Sequence, residues 1–413
     1  MRTPEPTETS VNSQAQNGDN QSAAKPRRFS LRTMLVLVTA IACLMGWASR
    51  KIHRARAQRS SVEKLLKQGN LKLGYDWQTK DGSEPQPQPQ WIIDKVGEEY
   101  FQEVTSVYLA LHDENQIDLR PLSEFTELQT VSIDNRSPDV HAQLRKDVLS
   151  PLSNLQHLTN VSLAFVNIRD VTSLGKMHWL EKLSIYSHEV DLTPLRNLTK
   201  LKRLRLSLDS IDDLSALKNM HSLEHLSLQC HNGANVNLSP IRELTALREL
   251  HLEEMQTNGV RALSGLKQLV ELVLRVHPET DLAPLASLES LRTLRIYTTN
   301  TKTDNLDFVA GLSNLEELDL VGFQCKNFSS LSQLTRLRAL SLTRINAMDW
   351  SAMVEFPELQ TLALDTCNIP DIVPLSSLPN LVRLNLHSMS RDEWNDDQIK
   401  LLQEARPNCK IIR

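Results

Sequence analysis

The stretch Leu238-Ser239-Pro240-Ile241-Arg242-Glu243-Leu244-Thr245-Ala246-Leu247-Arg248-Glu249-Leu250-His251-Leu252 changes period partway through. Its apolar residues recur at every third position from Leu238 to Leu250, then at the second position from Leu250 to Leu252. A period of three suits a 3₁₀-like turn, where side chains i and i+3 eclipse; a period of two suits a strand. One unit therefore runs from turn to short strand with its large apolar side chains all on one side. No unit can bury that side alone, so copies must stack.

Copies continue in both directions. The residue equivalent to Leu252 is Ile133, Leu163, Ile185, Leu206, Leu228, Leu274, Ile296, Leu320, Leu342, Leu364 and Leu386 in the other units. The modal interval is 22 residues, as from Leu342 to Leu364, and the first, from Ile133 to Leu163, is 30. Twelve parallel strands about 4.8 Å apart predict a sheet roughly 50 Å long. The long first interval predicts an insertion around Asn135 to Asp147, outside the stack. The fold class is an α/β solenoid with a parallel sheet on its concave side and turns on its convex side. The expected organisation is repeats over 117–389, a small N-terminal cap over 70–116 and a C-terminal cap over 390–413.

Composition agrees. Leucine is about one residue in six, well above its usual share. The 12 glycines in 413 residues leave little room for loops that cradle phosphate. Lys plus Arg number 46 against 50 Asp plus Glu, so there is no basic excess and no expected nucleic-acid partner. Five cysteines, an odd and scattered set, do not make a disulfide scaffold.

The pattern resembles a leucine-rich repeat protein, and the 22-residue length resembles the internalin-like class. Ile168-Arg169-Asp170-Val171, Ile211-Asp212-Asp213-Leu214 and Ile369-Pro370-Asp371-Ile372 carry that class's tail. Arg28-Phe29-Ser30-Leu31-Arg32-Thr33 before an apolar run, and the end from Asp397 to Ile411, are similar to membrane-anchored bacterial proteins of planctomycete type. The resemblance implies a protein-binding array. It also implies Asn three residues after the last strand leucine, where this chain has Val166, His188, Asp209, His231, Met255, His277, Thr299, Phe323, Ile345 and Cys367. Without that amide, less regular turns are expected, because buried backbone groups need partners.

Ahead of the repeats, residues 1–28 are polar and predict a disordered tail. Residues 29–49 follow as a transmembrane segment whose uncharged run, Thr33 to Ser49, meets the lipid bilayer. Basic residues bracket the run almost evenly, so the positive-inside rule leaves its orientation open, and a cleaved signal peptide is the rival reading. A basic juxtamembrane helix is expected over 50–69, with Gly69 as its stop. Strands are expected at Leu71 to Trp77 and Val104 to Leu111, with a Pro85 to Pro89 spacer and a helix at Trp91 to Phe101 between them.

No phosphate loop, nucleophile elbow or Cys-x-x-Cys motif is present, so neither cofactor nor small-molecule substrate is expected and the chain reads as non-enzymatic. His221, His225 and His231 lack zinc spacing. On the exposed side of the strands, Glu249, His251, Glu253 and Glu271 form an acidic patch with His225. That patch could hold a divalent cation or an acid–base pair, or await a basic protein. Arg275, Arg295 and Tyr297, followed by Glu317 and Asp319, bring together the residue types that anchor interfaces. Lys182, Arg203 and Arg205 are also exposed there, and acidic residues are expected to alternate with all these cations. The leading reading is a membrane protein binding an unknown protein partner on its concave face. The alternatives are an envelope protein that binds glycan or itself, and a metal-dependent binder or enzyme.

Overall fold

The period-three runs become chains of i→i−3 hydrogen bonds in the computed structural model of the protein. Leu195 N–H donates to Leu192 O, Leu198 to Leu195 and Leu201 to Leu198, at 2.9, 2.9 and 3.1 Å. The structure describes residues 31–75, 103–111, 117–135, 147–164, 168–232, 235–303, 306–369, 371–387 and 396–412. The expected tail at 1–28, the Pro85 to Pro89 spacer, the helix at Trp91 to Phe101 and residues 136–146 of the expected insertion lie outside them. The chain forms two units, 1–53 and 54–413.

The acid of the Ile-x-Asp tail has a mechanical task. The side-chain oxygens of Asp170, Asp191, Asp213, Asn237, Asp281, Asn327, Asp349 and Asp371 each accept the backbone N–H two residues on, at 2.8–3.0 Å. Such Asx turns start the 3₁₀ segment and satisfy a donor it leaves orphaned. The Thr193 hydroxyl and N–H hold Asp191 below the ordinary carboxylate range, and the Ser215 hydroxyl and N–H do the same for Asp213. The Ser351 N–H, then its hydroxyl, lowers Asp349. A carboxylate depressed in the folded state contributes stability that is complete above its unfolded pKa and lost as the pH falls through the folded value. Melting temperature should therefore drop as the pH is lowered below about 4. Combining Asp191→Asn, Asp213→Asn and Asp349→Asn keeps the acceptors and removes the charges, so circular-dichroism melts should show a shallower acid drop.

The period-two runs are strands. They are β1 (Gly69–Tyr75), β2 (Val104–Leu111), β3 (Thr130–Asn135), β4 (Asn160–Ala164), β5 (Lys182–Tyr186), β6 (Arg203–Leu208), β7 (His225–Cys230), β8 (Asn235–Asn237) and β9 (Glu249–Asn258). They continue as β10 (Glu271–Val276), β11 (Thr293–Thr303), β12 (Glu317–Asn327), β13 (Ala339–Thr343), β14 (Asn346–Asp349), β15 (Thr361–Asp365), β16 (Arg383–His387) and β17 (Lys410–Ile412). From β2 onward the pairings are parallel, and they keep the leucines in register. Leu204, Leu226, Leu250, Leu272, Leu294 and Leu318 form one buried row, and Leu206, Leu228, Leu252, Leu274, Ile296 and Leu320 form the next.

At six of the ten positions expected to carry it, the missing Asn is replaced in one of two ways, and in the middle of the array the result is more order, not less. At Met255, Phe323, Ile345 and Cys367 the side chain is buried in the core. There the long strands continue past the corner into a second parallel ladder, with Val236 opposite Thr257, Thr301 opposite Phe323 and Cys325 opposite Ala347. The Asn368 amide closes one end of it, accepting from Ala347 N–H at 3.0 Å and donating to Ala347 O at 3.2 Å. At His188 and His231 the imidazole instead reaches a carboxylate of the next repeat, Asp209 at 2.9 Å and Glu254 at 3.0 Å.

The corner leaves strain. Glu254, Gly322, Arg344 and Thr366 occupy the same place, two residues after the last strand leucine, with φ of 56°, 83°, 52° and 52°. Only Gly322 is free of the Cβ clash of this left-handed region. Thr366 is β-branched, the worst case. Thr366→Gly should therefore stabilise the protein by about 1 kcal/mol, read as a shift in denaturant midpoint at unchanged slope.

The terminal elements differ from expectation at one point. A single helix, α1 (Leu31–Leu66), spans both the expected membrane segment and the expected juxtamembrane helix. Gly69 does not stop it; it opens β1. A Cβ there would lie 2.1 Å from Ala110 O, so glycine allows β1 to pair closely with β2. Within the first unit, an apolar window of α1 is entirely unburied, with mean hydropathy 1.8, and Leu35, Val36, Val38 and Leu44 are exposed. Within the second, Gln58, Ser61 and Leu65 are buried. Arg54 pairs with Glu103 and Glu127, each at 3.2 Å, and the Gln68 amide exchanges two hydrogen bonds with the Asp118 backbone. The end of α1 thus packs on the segments that precede and open the repeats. At the other terminus, α2 (Asp396–Ala405) buries Leu402, and β17 adds Ile411 beside Leu384.

Candidate functional site

Between the buried leucines, the alternate residues of each strand lie on the opposite face of the sheet, most of them open to solvent and Val273 and Val321 buried. The register lays them out as rows. His225, Glu249, Glu271, Thr293 and Glu317 stand side by side, followed by Ser227, His251, Val273, Arg295 and Asp319. Arg275, Tyr297 and Val321 belong to the third row, and Glu253 stands opposite Gln229 in it.

Seven of the nine expected site residues are in direct pairs. Glu271 Oε1 lies 3.2 Å from His251 Nε2 and 3.1 Å from Arg295 Nη1. Arg295 Nη2 reaches Glu317 Oε2 at 3.3 Å, so one guanidinium bridges carboxylates on both neighbouring strands. Glu249 Oε2 is 2.6 Å from His225 Nδ1. The Tyr297 hydroxyl donates to Asp319 Oδ2 at 3.5 Å. Burial, with the Asp319 charge, raises the Tyr297 pKa and keeps the phenol a donor. Burial also raises Asp319, with the Ser341 hydrogen bond and Arg295 pulling the other way. The remaining two, Glu253 and Arg275, are exposed farther along their strands.

The rows set carboxylates against guanidinium, imidazole and phenol groups. Among the described residues, no three His, Cys, Asp or Glu side chains come together as metal ligands. His221 faces Glu243 O at 3.3 Å, His225 faces Glu249, and His231 lies between Ser207 Oγ and Glu254, so the three share no point. The buried thiols of Cys325 and Cys367 are pushed up to about 11 by desolvation, which makes them poor nucleophiles at neutral pH.

Two features were not legible in the sequence. His231 joins Ser207, Gln229 and Glu254 in one hydrogen-bonded chain, and His231 then Gln229 holds Glu254 below its ordinary range. The 23-residue offset from His231 to Glu254 was its only signal. The expected alternation of acidic and basic residues also fails across β5 and β6. Lys182 and Arg203 are cross-strand neighbours, Arg205 is two residues on, and the exposed rows of β5 and β6 carry no carboxylate.

No protein-family model matches the sequence, and no curated protein sequence does. Solved structures do. The chain is similar to an internalin of Listeria monocytogenes, with 25% identity and a TM-score of 0.50 over 69% of this chain and 87% of that one. A leucine-rich repeat protein of Leptospira interrogans matches at 19% identity and a TM-score of 0.47, covering 74% of this chain and 89% of that one. A TDR receptor matches at 17% identity and a TM-score of 0.53, covering 68% and 51%, a likeness of fold alone. Turn, strand and register together make this fold a leucine-rich repeat solenoid. Its 22-residue unit and its Asp-capped turns place it with the internalin-like type.

Proposed function

We propose that the chain is a membrane-anchored, non-enzymatic protein-binding module that engages its partner through the exposed face of the sheet around Arg295 and Tyr297. The observation that carries this is the bridge from Glu271 through Arg295 to Glu317, beside the Tyr297–Asp319 pair. Side chains already held in one geometry lose less freedom on binding, and Arg and Tyr supply area with directed hydrogen bonds. Glu249, Glu253, Glu271, Glu317 and Asp319 give the region an acidic excess over Arg275 and Arg295, which suits a partner with a basic rim. Replacing Arg295 and Tyr297 together by alanine should weaken binding to a partner captured by crosslinking by at least about 2 kcal/mol. Unchanged affinity with an intact fold would move the site elsewhere.

The anchor in this reading is the first half of α1. Large aliphatic side chains exposed all round a helix are stable in lipid and costly in water. The full chain should stay with membranes through carbonate extraction, and release into the supernatant would remove the anchor from the proposal.

A further inference from the structure

Lys182 on β5 stands directly opposite Arg203 on β6, and Arg205 lies on the same face. Like charges facing each other across adjacent strands repel. Elsewhere on this face Arg295 is matched with Glu271 and Glu317, the imidazoles of His225 and His251 each lie beside a carboxylate, and Arg275 faces Tyr297 rather than a second cation. Here cation faces cation. All three cations are exposed, and among the described residues none of them forms an ion pair. Arg205 Nη1 donates to the Tyr186 hydroxyl at 3.4 Å, which fixes its direction. Two neighbouring carboxylates are committed to other groups: Glu181 to Lys202 at 3.1 Å, and Asp209 to His188 at 2.9 Å. Among the described residues one other cation pair is stacked, Arg383 opposite Lys410, at the end of the array beside Asn385 and His387.

We infer that Lys182, Arg203 and Arg205, with Tyr186, form a second contact region that takes the carboxylates of an acidic segment of the same partner polypeptide. The inference rests on the reading of the sheet face as a protein-binding surface, and it adds the partner's charge pattern. Guanidinium forks pair with carboxylates through two parallel hydrogen bonds, and an anion there relieves the repulsion between the stacked cations. From β6 to β11 is four strand spacings, about 19 Å. An extended chain covers that in about six residues. The carboxylates from Glu249 on β9 to Asp319 on β12 lie two to five spacings from β6, so the partner carries acidic residues about three to seven positions from its basic ones. A polyanionic glycan or nucleic acid fits worse, since chain running on from β6 meets the carboxylates of β9, β10 and β12.

The test uses the full chain in detergent micelles and three labelled peptides, read by fluorescence anisotropy at low salt. One peptide carries an acidic block and a basic block separated by about six glycine and serine residues; the others are wholly acidic and wholly basic. The divided peptide should bind about tenfold tighter than either uniform one. Arg203→Glu with Arg205→Glu should remove that advantage and the binding of the acidic peptide, leaving the basic peptide no weaker. Arg196→Glu with Lys218→Glu, exposed on the turn side, makes the same net charge change and should do neither. Equal loss from the two pairs would overturn the inference as an effect of net charge. Acidic-peptide binding that survives Arg203→Glu with Arg205→Glu would overturn it too, while loss of the basic peptide in Glu253→Lys with Glu317→Lys would leave the sheet-face reading standing. If none of these reversals changes any probe, the sheet-face reading fails and the inference fails with it. Sulfated polysaccharide that binds more tightly than the divided peptide, with the same dependence on Arg203 and Arg205, would assign the region to a glycan.

Discussion

Leu250→Asp should cost the protein about 4 kcal/mol or more, whereas Glu253→Lys three residues away should stay within about 0.5 kcal/mol. Leu250 is 0% exposed and lies between Leu226 and Leu272 in the buried row. A carboxylate there has neither water nor a cation, and the leucine's packing with both neighbours is lost. Glu253 is exposed three residues on in the same strand. The loss should also be divided in space. Each repeat is held by its two neighbours, so a fault at β9 uncouples the repeats before it from those after it. Hydrogen exchange should then show protection falling most at β7, β9 and β10 and least at β15 and β16. Equal drops in melting temperature for the two variants would place Leu250 on the wrong face and overturn the register.

That register was legible because it is repeated. A single Leu-x-Leu could be a strand of either orientation, but Leu204-Arg205-Leu206, Leu226-Ser227-Leu228 and Leu250-His251-Leu252 at near-constant spacing admit one stacking. The exposed rows followed directly, which is why the expected site residues fall into neighbouring strands. Their partners did not follow. Whether Arg295 stands free or bridges Glu271 and Glu317 depends on side-chain reach across strands, and residues more than twenty positions apart decide it. The acid-free pair β5 and β6 was missed for a related reason: charges counted along the chain alternate, but charges read across the sheet do not. The turns were misjudged because a lost Asn was treated as a lost bond. In Phe323, Ile345 and Cys367 the chain substitutes burial for that bond, and in the repeats of Phe323 and Ile345 it adds a second ladder.

A fragment 51–413 should fold and remain soluble, whereas a fragment 69–413 should be less stable by about 3 kcal/mol or more and prone to aggregate. From sequence the basic stretch after the apolar run is a juxtamembrane helix that stops at Gly69, a stalk outside the cap expected over 70–116. The structure makes its last turns a lid. Burying Leu65 is worth about 2 kcal/mol, and the side chain is 0% exposed within the core. Deleting Arg54 leaves Glu103, whose side chain is 16% exposed, without its cation, and deleting Gln68 strips the Asp118 backbone of a donor and an acceptor. Parallel arrays also end on open apolar layers, so loss of a cap exposes the next repeat as well as the cap's own contacts. Leu65→Ala in fragment 51–413 isolates the packing part and should cost about 2–4 kcal/mol in urea melts. Matching midpoints for the two fragments, with both monomeric by gel filtration, would return the end of α1 to the role of a stalk. If instead the shorter fragment aggregates while Leu65→Ala melts early but stays monomeric, cap packing sets the stability and the cover it gives the first repeat keeps the array soluble.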